Sequence, residues 1–152
     1  IIMGFMDFIN SIKEGIEKEV ARFANKDFLE AAVAGCAMVA AADGEISSEE
    51  KQKMWGFMQL SPALKVFKAD EIMEAWNRHI SNFEFDNAIG VQEATKAIQK
   101  LNGNADAGKT LVNVCCAIGG ADGDFDDTEK AVVRKICAAV GLRADQFAGL
   151  AG

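Results

Sequence analysis

The sequence predicts an all-α protein, and three observations support this fold class. Alanine is abundant, apolar residues recur at helical spacing, and the 152 residues include a single proline. No convincing alternation of apolar and polar residues, the pattern typical of a half-buried strand, occurs along the chain. Half of the residues are hydrophobic, which is enough for one core, so we expect a single domain over residues 1–152. Ile1 and Ile2 precede Met3, which we interpret as the natural start, so we expect both to be foreign to the natural chain.

Two acidic stretches repeat each other at an offset of 79 residues (122 minus 43). Residues 43–51 read Asp-Gly-Glu-Ile-Ser-Ser-Glu-Glu-Lys, and residues 122–130 read Asp-Gly-Asp-Phe-Asp-Asp-Thr-Glu-Lys. The same offset aligns Cys36 with Cys115 in the apolar runs that precede them. We interpret this repeat as an internal duplication. Because two copies are too few for a solenoid, we expect them to face each other inside one domain.

The first part of the chain predicts three helices. Residues 5–23 place apolar side chains on one face and mixed charges on the other, as an amphipathic helix does. Asp27 is the expected N-cap of an alanine-rich helix that ends at Gly44, because glycine accepts the left-handed conformation of a C-terminal cap. The third helix follows from about residue 48 to residue 59.

The second part of the chain predicts four more helices. Pro62 marks a new start, and a helix follows over about residues 70–81. Asp86 is the expected N-cap of a helix that reaches Leu101, and the turn at residues 102–104 then leads into the second copy of the repeat. The remaining expected elements are the second apolar helix, a helix that ends at Val140 with Gly141 as its stop, and a short turn over residues 145–150.

Part of each acidic turn has a purely structural explanation. Ser47 with Glu50, and Asp126 with Glu129, have the spacing of capping boxes that begin the following helices. On this interpretation the four residues only mark where helices start, and the turns are solvated surface.

Asp43 and Asp122 are not explained in this way. Each ends a helix, where the macrodipole disfavours an anion by about 0.3–1 kcal/mol. Each is followed by a second acid, Glu45 or Asp124. A bound cation would compensate for this arrangement, since hard cations are held by several carboxylate and carbonyl oxygens.

An EF-hand does not explain the second turn. Asp122, Asp124 and Asp126 imitate the first three ligand positions of that loop. The glycine lies at the second position instead of the sixth, however, and the first glutamate, Glu129, lies at the eighth position instead of the twelfth. A cation site must therefore be assembled across loops, and we expect both copies to contribute.

The paired acidic turns, with Glu-Glu-Lys-Gln-Lys-Met at residues 49–54 and Ser-Asn-Phe-Glu-Phe-Asp at residues 81–86, resemble the tellurite-resistance protein TerB family over nearly the whole chain. The resemblance implies one TerB-like domain of about seven helices with two pseudo-twofold halves, and no established enzymatic activity. It also implies a bacterial stress-response protein of the cytoplasm, peripheral at most to the inner membrane. The implied partners are a TerC-like membrane protein and TerD-like calcium-binding proteins, so membrane association would be indirect.

The resemblance also implies which residues bind the metal ion. Ca²⁺ is the expected ion, with Mg²⁺ or Mn²⁺ as alternatives. The second turn has Asp126 and Asp127 where the first has serines, so we expect its affinity to be higher. The expected ligands are Asp43, Glu45, Glu50, Asp122, Asp124, Asp126 and Glu129, and the expected partner contacts are Glu49, Asp86 and Asp127.

These features predict a non-catalytic, metal-responsive adaptor, and two alternatives remain open. The first is an acidic scaffold that binds a basic protein segment without metal. The second is a carboxylate–metal hydrolase, which the sequence favours less because no histidine lies near the acidic turns. The net charge of −7 and pI of about 4.7 argue against nucleic acid as a ligand.

The cysteines and the single histidine predict structural roles. Cys36 and Cys115 lie on apolar helices without a Cys-x-x-Cys pair, and free cysteine there behaves as a small hydrophobe. Cys115 and Cys116 cannot share one helix face, so we expect one of them to be accessible. His79 is expected at the surface or its boundary. The longest apolar run, residues 31–42, is too short to cross a bilayer.

Overall fold

A computed structural model describes residues 4–121, 123, 125–147 and 150, and these residues form helices and turns without a strand. The predicted all-α class is confirmed, with eight α-helices in the described ranges instead of about seven. Two 3₁₀ turns, Pro62–Leu64 and Ala144–Gln146, lie between and after them. The helices are α1 Phe5–Lys13, α2 Ile16–Ala21, α3 Lys26–Ala40, α4 Ser48–Leu60, α5 Ala69–Phe85, α6 Asn87–Gln99, α7 Ala105–Gly119 and α8 Asp127–Ala139.

The additional helix arises at Gly15. The amphipathic pattern over residues 5–23 predicts one helix, but the chain turns at Gly15, whose φ of 77° is left-handed. A left-handed residue ends a helix, and glycine takes this conformation without steric cost. The apolar stripe is still used, because Ile9, Ile16 and Val20 from the two shorter helices are all buried in the same core.

Helix α3 lies at the centre of the fold. It packs against α5, α6, α7 and α8, and nearly all of its side chains are buried. Its small residues allow close approach, and a Cβ added at Gly35 would overlap the Cys115 sulfur of α7. The N-cap of α3 is Asn25, whose side chain accepts a hydrogen bond from Phe28 N at 2.9 Å. The expectation of Asp27 as the cap was wrong, because Asp27 lies inside the first turn, where an acid favours the helix dipole.

The bounds of α3 and α4 recur in α7 and α8 at an offset of 79 residues (105 minus 26, and 139 minus 60). Asn104 caps α7 as Asn25 caps α3, and Gly44 and Gly123 are both left-handed, with φ of 102° and 81°. The two helix pairs therefore begin and end at equivalent positions. A pseudo-twofold relation between them stays a prediction.

Helix α7 contacts helices on several sides, among them α1, α3, α4 and α8. Cys115 and Cys116 are consequently both fully buried, and the expectation that one of them is accessible was wrong. Burial raises the pKa of the Cys116 thiol well above its usual value, and burial raises that of Cys137 to about 12. The thiols are therefore protonated at neutral pH and behave as core residues.

Helix α5 differs from its prediction in length and in the position of its histidine. It extends to Phe85, beyond the expected end near residue 81. Asp86 then caps α6 as predicted, accepting from Ala88 N at 2.8 Å and from Ile89 N at 3.2 Å. His79 is 4% exposed, so its expected surface position was wrong. Within the described part of the chain, no helix combines the length and the apolar character needed to cross a membrane.

Candidate functional site

A surface pocket of about 240 Å³ lies where the starts of α4 and α8 meet the ends of α3 and α7. Two carboxylates of each acidic turn line it, Asp43 and Glu50 from the first and Asp126 and Glu129 from the second. We call it the acidic pocket. Its other lining residues are Val39, Ala40, Ala42, Lys53, Met54, Phe57, Gly119 and Thr128.

The first acidic turn reaches the pocket because of how α3 ends and α4 begins. Gly44 turns the chain in the left-handed conformation, and Glu45 N lies 3.4 Å from Asp43 Oδ1. Ser47 caps α4 as predicted, since its hydroxyl accepts from Glu50 N at 3.1 Å. The capping box predicted here is incomplete, because Glu50 Oε1 accepts from the Ser47 hydroxyl at 3.2 Å instead of from the Ser47 backbone.

The second acidic turn forms the complete capping box that was predicted. Asp126 Oδ1 accepts from Glu129 N at 2.8 Å, and Glu129 Oε1 accepts from Asp126 N at 3.1 Å. This pair of bonds holds both carboxylates in place at the start of α8. A carboxylate can accept at both of its oxygens, so capping and cation binding are compatible.

The surroundings of Glu50 disfavour its ionised form. Partial burial raises the pKa of Glu50, and the nearby charges of Asp43 and Glu45 raise it further, against the opposing effects of Ser47 and Lys53. The direction of this shift means that the ionised form of Glu50 is destabilised in the folded protein. A cation in the pocket would relieve that cost.

The other predicted site residues lie in different places. Three of them are exposed and do not line the acidic pocket, namely Glu45, Glu49 and Asp127. The charge of Glu45 nevertheless raises the pKa of Glu50. Asp86 is exposed and caps α6. Asp122 and Asp124 lie outside the described residues. Within the described residues, no three Asp, Glu, His or Cys side chains form a ready-made metal-binding group.

Lys53 and Phe57 also line the acidic pocket, and neither was predicted from the sequence as a site residue. Lys53 is a cation within reach of the carboxylates, and Phe57 supplies apolar surface one helical turn further along α4. Lys53 lies in the motif at residues 49–54, and its spacing of four residues from Glu49 could have drawn attention to it. Nothing in the local sequence distinguishes Phe57 from a core phenylalanine.

Comparison with known proteins identifies the family. The family model described as Tellurite resistance protein TerB matches residues 29–151. A protein named Tellurium resistance protein TerB, from an Alcaligenes species, is 39% identical over 116 residues, which cover 74% of this chain and 95% of that protein. No solved structure matches the chain with significant similarity. The region matched by the family model contains both acidic turns, most of α3 and the whole of α4, α7 and α8, and the chain therefore belongs to the TerB family of tellurite resistance proteins.

Proposed function

We propose that this chain is a non-catalytic, cation-responsive adaptor whose acidic pocket binds a divalent cation. Membership of the TerB family supports a role related to tellurite resistance. The observation that carries the cation proposal is that carboxylates from both acidic turns line a single pocket. The raised pKa of Glu50 adds support, since burial and the nearby charges of Asp43 and Glu45 disfavour its ionised form, and a bound cation would favour that form.

The donor chemistry of the pocket fits a hard cation. Asp43, Glu50, Asp126 and Glu129 offer carboxylate oxygens, and Thr128 adds a hydroxyl among the lining residues. Calcium takes six to eight oxygen ligands, whereas magnesium and manganese take six. Asp122 and Asp124 are the sequence-predicted ligands that would extend this set. We favour calcium because the pocket is built from two separate turns, and calcium tolerates irregular geometry better than magnesium does.

A cytoplasmic adaptor of this kind would bring other proteins to the inner membrane. We propose a TerC-like membrane protein and TerD-like calcium-binding proteins as partners, on the family resemblance. Glu49, Asp86 and Asp127 suit such contacts because each is exposed. A hydrolase has less support, since His79 is the only histidine and bonds to Glu30 instead of lining the pocket.

Thermal unfolding with and without cation tests this proposal. Millimolar Ca²⁺, Mn²⁺ or Mg²⁺ is expected to raise the melting temperature, because a ligand at about 100 times its Kd stabilises the folded state by about 2.7 kcal/mol. Glu50→Gln should abolish most of this increase. Glu71→Gln is the matched control, since Glu71 lines a different pocket beside α3 and α5.

Glu50→Gln should also raise the melting temperature of the cation-free protein at pH 7. A carboxyl with a raised pKa contributes stability below its unfolded value, here 4.5, and loses that contribution as pH rises through the folded pKa. The advantage of the variant should therefore vanish near pH 4. If none of the three ions changes the melting temperature, or if Glu71→Gln removes the increase equally, the cation proposal is wrong.

A further inference from the structure

A second, apolar pocket adjoins the acidic pocket. It has a volume of about 200 Å³ and lies between α2, the end of α4 and α7. We call it the apolar pocket. Its lining side chains are Ile16, Phe57, Leu60, Pro62, Ala117 and Ile118, with Lys13, Ser61 and Ala121 around them. The Ser61 hydroxyl already accepts from Ala63 N at 3.2 Å, so this surface mainly offers apolar contact.

The size of the apolar pocket limits what can occupy it. An apolar cavity of about 150 Å³ holds a benzene molecule, whereas pockets for small-molecule ligands measure about 300–1,000 Å³. A volume of about 200 Å³ therefore suits one large apolar side chain of a protein partner. Leu60, at the edge of this pocket, is 80% exposed, so a partner side chain could bury it.

The two pockets share one wall. Phe57 lines both pockets. Of two consecutive residues in α7, Ile118 lines the apolar pocket and Gly119 lines the acidic pocket. An occupant of one pocket therefore lies next to the other. A single short segment can enter both if it carries an apolar side chain close to a charged one.

Charge decides which segment fits. Four carboxylates and one lysine, Lys53, line the acidic pocket, so its net negative charge attracts lysine or arginine and repels phosphate, which argues against nucleic acid and anionic lipid headgroups. The net charge of −7 also disfavours a second copy of this chain. The complementary occupant is a basic segment of another protein with an apolar anchor.

We propose that the two pockets together dock such a segment, with its apolar side chain against Leu60 and Phe57 and its lysine or arginine among Asp43, Glu50 and Asp126. This inference rests on the proposed function in one respect. The basic side chain and the divalent cation use the same carboxylates, so the cation should release the segment. The adaptor would then exchange its protein partner for a cation.

Fluorescence anisotropy with synthetic peptides tests the docking. The panel consists of labelled peptides of about twelve residues that carry one leucine and two arginines at varied spacing in a Gly/Ser background. At least one spacing is expected to bind, and replacing its leucine with alanine or its arginines with glutamate should abolish binding. Leu60→Ser should weaken binding by about tenfold, the effect expected from losing one buried leucine contact.

Phe85→Ser is the matched control, because Phe85 is also 80% exposed but lines neither pocket. Failure of every peptide to bind, or equal loss in both serine variants, would overturn the docking proposal. Sedimentation of the protein alone provides a further check. A dimer that dissociates in Leu60→Ser would assign the apolar pocket to a second copy and also overturn the proposal.

Titrating Ca²⁺ into the bound peptide separates this inference from the proposed function. Release of the peptide is expected if cation and arginine compete. If calcium raises the melting temperature but leaves the peptide bound, the cation proposal stands and the competition is wrong. If none of Ca²⁺, Mn²⁺ and Mg²⁺ affects either property while peptide binding still depends on Leu60, the docking stands and the cation proposal is wrong.

Discussion

Glu30, Arg78 and His79 form a network that connects α3 to α5. Arg78 Nη1 donates to Glu30 Oε1 at 2.6 Å, and His79 Nε2 lies 3.2 Å from Glu30 Oε2. Burial lowers the pKa of His79 despite the raising effect of Glu30, so the imidazole is neutral at pH 7 and donates to Glu30. Burial acts to raise the pKa of Glu30, but Arg78 and His79 outweigh it and hold that pKa below its usual value.

The His79 network predicts that stability decreases in mild acid. A histidine with a lowered pKa contributes its full stability above the unfolded value of 6.5 and loses it as pH falls from that value through the folded pKa. The charged groups facing the ring are Glu30 on α3, Arg78 on α5 and Glu93 on α6. Urea unfolding followed by tryptophan fluorescence should give a free energy of unfolding that falls by up to about 1.4 kcal/mol per pH unit below pH 6.5.

His79→Gln should flatten this dependence, because the chain has no other histidine. Glu30 also loses stability in acid, but only below its unfolded value of 4.5, so the two contributions occupy separate pH ranges. An unchanged slope between pH 7.5 and 5.5 in His79→Gln would refute this account of the network.

At the scale of helices, local signals predicted most boundaries. Ser47 and Asp86 are N-caps as expected, and Gly141 is left-handed just after the end of α8, as expected. Gly44 is left-handed too, but α3 ends at Ala40, earlier than predicted. These predictions succeeded because caps and left-handed glycines depend on a few neighbouring residues. The same reasoning predicted Asp27 as the N-cap of α3, whereas the N-cap is Asn25, because aspartate and asparagine both suit an N-cap position.

Features that depend on tertiary packing were harder to predict. The break at Gly15 was missed because the apolar stripe continues on both sides of it. Cys116 and His79 are buried only because helices pack on additional faces of α7 and α5. The acidic turns were identified from the sequence, and their repetition led to the expectation that both contribute to one site, but which of their residues line the shared pocket depends on how the two helix pairs pack.

Two glycines of the first helix pair predict opposite effects of alanine. Gly44 has a φ of 102°, so Gly44→Ala should destabilise the protein by about 1–2 kcal/mol. Gly56 lies within α4, and an added Cβ there has no neighbour within 4 Å, so Gly56→Ala should stabilise it by about 1 kcal/mol. Chemical denaturation of both variants measures this contrast. A neutral Gly44→Ala would show that this turn does not require glycine.

At the scale of the whole molecule, a buried helical core lies beside one edge that carries both pockets. Helix α3 and helix α7 fill the centre, and the acidic and apolar pockets both lie beside the end of α7. A buried core of this kind holds the two acidic turns at fixed separation. The proposed cation would then change the charge at this edge without rearranging the fold, as the proposed adaptor role requires.

Paramagnetic broadening by Mn²⁺ tests the central claim, that both acidic turns contribute to one cation site. Substoichiometric Mn²⁺ added to ¹⁵N-labelled protein should broaden the amide signals of residues 43–50 and 125–129 together and at the same Mn²⁺ concentrations. Glu50→Gln should weaken the broadening at both turns, although Glu50 belongs to only one of them. Broadening confined to one turn, or a Glu50→Gln effect limited to the first turn, would contradict a shared site.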